Sequence, residues 1–276
     1  MFGVALTIKP SHFYQLRHNK KALLTGIFSQ YILLPTLTVL LIYIISPSHG
    51  IALGMVLVAA CPGGNASNFF SMVAKGNLAL SVTLSAITSV FAFLTTPLSF
   101  FVFASMVPEL RDSIRDFDIN FLDLLGNMLG ILFFPLVAGM TFAHYLPKVT
   151  EKISRPVRIL SILMLISFIL VALNNNKDAF VQHIFSVFWI VVVHNGVGLL
   201  GAYFLSKLLR NSEDVNRSVA IETGIQNSGL GLVLIFTFFG GNGSMAIVAA
   251  WWGIWHLVSG FLFSYFIRRR PIPFHT

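Results

Sequence analysis

The chain has 276 residues, of which 56% are apolar and only 10% charged, against roughly 25% charged in soluble domains. So few ionisable side chains cannot cover the surface of a soluble enzyme; 27 Phe exclude disorder, and a lone cysteine, Cys61, excludes a disulfide scaffold. The net charge of +8 does not point to nucleic acid, because basic residues confined to short loops between apolar runs act as topology determinants of a polytopic helical membrane protein.

A helix needs ~20 residues to cross a hydrocarbon core. In chain order, residues 1–8 are apolar but too short to cross, and carry neither the basic front nor the cleavage site of a signal peptide. Eight full spans are then expected, at 22–45, 51–74, 78–106, 121–143, 157–173, 182–206, 218–239 and 245–267. Fifteen of the 18 basic residues fall on one side of the alternating loops, and Arg111, Arg115 and Lys177 on the other. That bias predicts an integral membrane protein with the 9–21 loop and the C-terminus in the cytoplasm.

Two spans carry breaks. The second contains Cys61-Pro62-Gly63-Gly64-Asn65-Ala66-Ser67-Asn68 and the seventh Glu222-Thr223-Gly224-Ile225-Gln226-Asn227-Ser228-Gly229. Pro62 removes a backbone donor and the glycines release the chain, so the first helix is expected to stop near Cys61 and restart near Ala66. Unwound backbone at membrane depth requires protein or a water-filled cavity around it. Each broken span is the middle of a triplet, and the two triplets run in opposite directions. This predicts an inverted-repeat transporter whose site lies where the repeats meet. The spans 121–143 and 157–173 lack complete counterparts before the first triplet, so about two spans are expected ahead of Ala22, with residues 1–8 the tail of the second.

Glu222 is the one acidic residue deep in a span, and no Lys or Arg lies at matching depth in either broken span. An intramembrane carboxylate is a functional hypothesis by default, and its expected counter-charge is a bound cation or a proton. Neutral oxygens accompany it: Ser67 and Asn68 after the first break, Ser81, Ser85 and Thr88 on one face of the third span, Gln30 in the first, and Gln226 one turn after Glu222. This donor set suits a hard monovalent cation such as Na+ and not zinc. Half-helices ending near Cys61 and Ile225 favour a cation, and those starting near Ala66 and Ser228 favour an anion. A cation-coupled carrier of an organic anion follows.

At these two motifs the sequence resembles the bile acid:sodium symporter family, over essentially the whole chain. The resemblance implies an all-α fold with a core domain, here 22–106 and 182–267, and a panel domain, here 121–173. Met1-Phe2-Gly3-Val4-Ala5-Leu6-Thr7 resembles the end of the family's second helix, so by this resemblance the first helix and most of the second are lacking. It also implies two Na+ ions, one held by Ser67, Asn68, Ser81, Ser85 and Glu222, the other by Gln30, Glu222, Thr223, Ile225 and Gln226, with Thr223 and Ile225 supplying backbone carbonyls. The substrate would be a bile acid-like molecule or a small carboxylate such as pantoate or a keto acid, with Asn65, Asn227 and His256 facing the crevice. A proton-coupled transporter or antiporter using Glu222 is the alternative. An intramembrane hydrolase built on Cys61 or His194 is a weaker one, since Cys61 has no paired base in the sequence. A Gly126-x-x-x-Gly130 pair is a weak signal for helix packing or a dimer face.

Overall fold

In a bilayer every backbone polar group must be satisfied within the protein, which favours helices. In the computed structural model, which describes residues 2–6, 19–64, 66–116, 121–175 and 177–270, every regular element is helical apart from one isolated bridge. The helices are α1 (Phe2–Ala5), α2 (Lys20–Ile45), α3 (His49–Ala60), α4 (Ala66–Val73), α5 (Leu78–Ser105), α6 (Pro108–Asp116), α7 (Phe121–Tyr145), α8 (Pro147–Asn175), α9 (Lys177–Leu208), α10 (Glu213–Gly224), α11 (Ser228–Phe238) and α12 (Gly243–Ile267). Among the described residues, five helical stretches are long and apolar enough to cross a membrane: α2, α5, α7, Phe185–Leu208 within α9, and α12.

The segments 51–74 and 218–239 are not single helices. Each is a pair of half-helices, α3 with α4 and α10 with α11, α3 ending at Ala60 before the non-helical residues 61–64 and α10 ending at Gly224 before residues 225–227. The second pair also begins earlier than its apolar run, at Glu213 rather than Ser218, where Glu213 and Asp214 place negative charge in the first turn; Ser212 at the N-cap position makes no side-chain capping bond. Residues 108–116, expected as loop, form a helix that starts on Pro108 and buries Leu110 against the core.

The half-helices α3 and α10 lie at the centre. Ile51 to Ala60 are all buried, as are Val215 to Gly224, so neither helix has a solvent or lipid face. The long α12 packs on α3, α9 and α11, and α9 packs on α10. By contrast α7 buries Leu124, Met128, Leu132 and Leu136 along one stripe, and its Gly126 and Gly130 are exposed with no atom within 4 Å of an added Cβ. Among the described residues that glycine pair packs against nothing.

Two helices contain a single widened turn, Ser29–Leu33 in α2 and Leu129–Phe133 in α7. Each stands immediately ahead of a proline turn, at Pro35 and Pro135, whose missing N–H leaves the preceding turn one hydrogen bond short. The amide of Leu34 reaches back to Ser29 O, and that of Phe134 to Leu129 O, closing the wider rings.

At one end of the molecule basic residues converge. Lys21 Nζ donates to Arg210 O at 3.4 Å, and the Asn77 amide donates to Asp214 O at 3.0 Å. Arg217 is the unexpected member: its place in a basic loop suggests exposure, yet its side chain is 0% exposed. Its guanidinium donates to Glu213 Oε1 (3.2 Å), to Ala74 O (2.9 Å) and to Arg270 O (2.8 Å), joining α10 to the ends of α4 and α12. Removing one partner of a buried pair typically costs ~3–5 kcal/mol. Arg217→Met is therefore expected to lower the thermal unfolding midpoint of the detergent-solubilised protein substantially, and the double variant with Glu213→Gln to lose less than the sum of the two single changes.

Candidate functional site at the helix crossing

The two breaks meet. Cys61 takes an extended conformation because it precedes Pro62, and α3 ends there. The freed backbone groups pair with the other break: Gly64 N donates to Ile225 O at 2.6 Å and Asn227 N donates to Pro62 O at 2.9 Å, flanking an antiparallel bridge between Gly63 and Gln226. Glycine is required at this crossing by proximity. A Cβ on Gly63 would run into Glu222 Oε1, and one on Gly64 would lie 3.1 Å from Gln226 O.

Glu222, 1% exposed, projects from α10 just before the break. Its Oε2 accepts from Ser67 Oγ at 2.6 Å and Ser81 Oγ at 3.3 Å, and its Oε1 from Ser85 Oγ at 2.8 Å. Ser81 and Ser85 share one face of α5 at i, i+4, and Ser67 comes from the first turn of α4. The hydroxyls also contact one another: Ser67 Oγ lies 3.1 Å from Ser85 Oγ, and Ser71 Oγ donates to Ser81 Oγ at 3.1 Å. Asn68 sits at the edge, its Oδ1 3.5 Å from Ser85 Oγ. Thr88 does not join, because its hydroxyl donates back to Ser85 O on its own helix.

A second cluster adjoins the first. Gln30, in the widened turn of α2, and Gln226, at the second break, form a reciprocal amide pair, with Gln30 Nε2 donating to Gln226 Oε1 at 2.9 Å and Gln226 Nε2 to Gln30 Oε1 at 3.1 Å. Their remaining hydrogens go to backbone, Gln30 to Cys61 O (2.9 Å) and Gln226 to Thr223 O (2.6 Å). The carbonyls of Thr223 and Ile225 are thus both at the crossing and both already accept one hydrogen bond, which leaves each a second lone pair. The structure brings Ser67, Ser81, Ser85 and Glu222 into direct contact, while Gln30, Thr223, Ile225 and Gln226 form a neighbouring group linked to Glu222 through α10 and the bridge.

Of the three residues expected to meet substrate, Asn65 lies outside the described residues. Asn227 caps α11, its Oδ1 accepting from Leu230 N at 3.1 Å. His256 is buried on α12, between Gly253, which abuts Ser228, and Gly260, which abuts Ile225 and Phe70; all three residues share one helical face, so the imidazole stands at the level of the crossing. Its Nδ1 has no hydrogen-bond partner among the described residues.

Sequence reasoning missed Asn195, whose Nδ2 donates to Gly224 O at 2.7 Å and fixes the end of α10 against α9. An amide in the middle of an otherwise apolar span was the available signal. The Cys61 thiol is buried in the apolar core, and His194 lies 2.7 Å from Thr38 Oγ1 through Nε2 with its ring against Trp252 at 4.7 Å; neither residue is paired with the other.

The close approach at Gly63 is testable by substitution. Gly63→Ala is expected to cost at least the ~1–3 kcal/mol of overpacking and to lower the thermal midpoint. Gly126→Ala on the open face of α7 should leave the midpoint unchanged or slightly raised.

A family model described as the sodium bile acid symporter family matches residues 1–183. The sodium-dependent transporter YocS of Bacillus subtilis is 30% identical over 271 residues, covering 98% of this chain and 81% of that protein. The probable sodium/metabolite cotransporter BASS1 of Arabidopsis thaliana is 28% identical over 276 residues, covering 99% and 65%. The P3 protein of Homo sapiens is 24% identical over 220 residues, covering 80% and 45%. The first two of these relatives are sodium-dependent transporters or cotransporters by name. With a buried carboxylate ringed by hydroxyls at the meeting of two interrupted helices, and with these matches along its length, the chain belongs to the sodium bile acid symporter family.

Proposed function

We propose that the protein is a sodium-coupled symporter of an organic anion, working by alternating access. The observation that carries this reading is Glu222, a fully buried carboxylate whose polar neighbours are neutral oxygens rather than cationic side chains. A serine hydroxyl both donates and accepts. The hydroxyls of Ser67, Ser81 and Ser85, which donate to Glu222, can turn their lone pairs toward a cation seated beside the carboxylate, with Asn68 Oδ1 completing the set. A second Na+ would be held by Gln30, Gln226, Glu222 and the carbonyls of Thr223 and Ile225, with the amide pair opening to present its oxygens. Glu222 is then the charge common to both ions.

The anion would bind on the opposite side of the same crossing, drawn by the N-termini of α4 and α11 and contacted by Asn65, Asn227 and His256. In this reading α2–α5 and α9–α12 are inverted repeats forming the core, α7 and α8 belong to the panel, and the core rocks against the panel around a fixed site. The substrate is a bile acid-like molecule or a smaller carboxylate such as pantoate or a keto acid. The basic end of the molecule, with the C-terminus of α12, faces the cytoplasm by the positive-inside rule, in a bacterial inner membrane.

The test is a thermal-shift screen of the purified protein over organic anions in NaCl and in choline chloride. Wild type is expected to gain stability with Na+ and further with its substrate, whereas Glu222→Gln should lose the Na+ response altogether. Leaving a buried cation without its counter-charge costs several kcal/mol, and each ~1.4 kcal/mol is tenfold in affinity. A Glu222→Gln protein that keeps the wild-type Na+ midpoint would refute the assignment, and a wild-type response to pH but not to Na+ would favour proton coupling.

Gln30→Leu gives an independent check. It should raise the Na+ concentration for half-maximal stabilisation while the protein remains folded; an unchanged value would remove Gln30 from the ion site.

A further inference from the structure

Away from the crossing, at the basic end of the molecule, α9 and α12 carry the same pattern on their facing sides. On α9 it is Leu200, Tyr203, Phe204, Lys207; on α12 it is Phe263, Phe266, Ile267, Arg270. Each is apolar or aromatic at i, i+3 and i+4 and cationic at i+7, so each forms one continuous stripe with its charge at the basic end. The two helices run the same way and pack together, and between them lies a cavity of about 330 Å³ lined by these apolar side chains and by Arg270. The cavity is open at the side: Leu200 is 50% exposed, Phe204 59% and Phe266 60%.

Among the described residues neither Arg270 nor Lys207 forms an ion pair. Glu213 is held by Arg217 through the buried pair and also accepts from the Tyr203 hydroxyl at 2.9 Å. Arg270 therefore contributes a side chain to the groove while its own carbonyl anchors Arg217. Arg268 and Arg269 stack near Tyr265 on the adjoining face and add to the positive field. Against the roughly half charge of each helix C-terminus, one full cation per helix leaves the mouth positive.

We infer that the groove between α9 and α12 is a binding site for one anionic phospholipid, its acyl chain lying along Leu200, Phe204, Phe263 and Phe266 and its phosphate held by Arg270 and Lys207. An apolar trough open to the bilayer fits a chain, and cations one turn above it fit a headgroup. A basic pocket between helices at a membrane interface is the arrangement that selects anionic over zwitterionic lipid. A free anion would gain the charge contact but leave the trough unfilled. The site is separate from the Glu222 cluster, so its test is independent of ion coupling.

The experiment uses the purified full chain in mild detergent, titrated with dioleoylphosphatidylglycerol, with dioleoylphosphatidylcholine, or with inorganic phosphate, and follows the thermal midpoint. Phosphatidylglycerol is expected to raise the midpoint saturably by several degrees; phosphatidylcholine and phosphate should not. Arg270→Gln, which removes the charge, and Leu200→Trp, which keeps the charge but fills the trough, should each abolish most of the increment, and Lys207→Gln should reduce it. Arg111→Gln, an exposed cation on α6, should keep it. An equal rise with phosphatidylcholine, a rise with phosphate alone, or wild-type responses in Arg270→Gln and Leu200→Trp would overturn the site. Should either of those variants fail to fold, an unreduced increment in Lys207→Gln together with the other variant overturns it equally.

Discussion

Two helices that stop partway across an apolar core leave backbone donors and acceptors that lipid cannot satisfy, and the antiparallel bridge between Gly63 and Gln226 is where the two interruptions satisfy each other. Much of the site depends on that pairing. It fixes the ends of α3 and α10 against each other and sets the approach of Gly63 so close that no side chain fits there. It also brings Glu222 of one break within reach of Ser67, in the first turn of the helix that follows the other. A polar group that would be costly alone becomes part of a satisfied network because both breaks fall at the same depth.

The polar chemistry of the centre is built almost wholly from neutral groups around one charge. Glu222 is held by hydroxyls, the adjoining Gln30–Gln226 pair is closed on itself and on backbone carbonyls, and Asn195 ties down the end of α10. The compensating cation, Arg217, is kept at the far end of α10, where it neutralises Glu213 instead. Segregating the two charges along one helix leaves the central carboxylate without a cationic partner among the described residues, its hydrogen bonds coming from serine hydroxyls instead.

Much of this was legible in the residues. Pro62 with two following glycines announces a break by elementary sterics, and a carboxylate in an apolar span announces function by its cost. The i, i+4 spacing of Ser81 and Ser85 places two hydroxyls on one helix face before any tertiary structure is known. What could not be read was non-local. Nothing in either motif says that Gly63 pairs with Gln226 rather than with a neighbour, since that register depends on where the surrounding helices hold α3 and α10, each with ten buried residues. Thr88 shares the spacing of the two serines yet turns back to its own helix, a choice made by competing local hydrogen bonds. Arg217 was misjudged because basic residues beside an apolar run are usually solvated, and only the carbonyls of Ala74 and Arg270, distant in sequence, make its burial tolerable.

The widened turn at Ser29–Leu33 has a geometric effect on α2. At 3.6 residues per turn, positions eight apart, such as Gln30 and Thr38, would point about 80° away from each other. With one extra residue taken up in the wide turn, eight steps do the work of roughly seven, and the two side chains come to within about 20° of the same direction. That alignment lets a single helix present Gln30 to the break and Thr38 to His194 on α9 at once. Pro35, which reads as an ordinary membrane-helix proline, thus acts as a phase shifter: the donor it lacks resets the angular register of everything that follows it on α2.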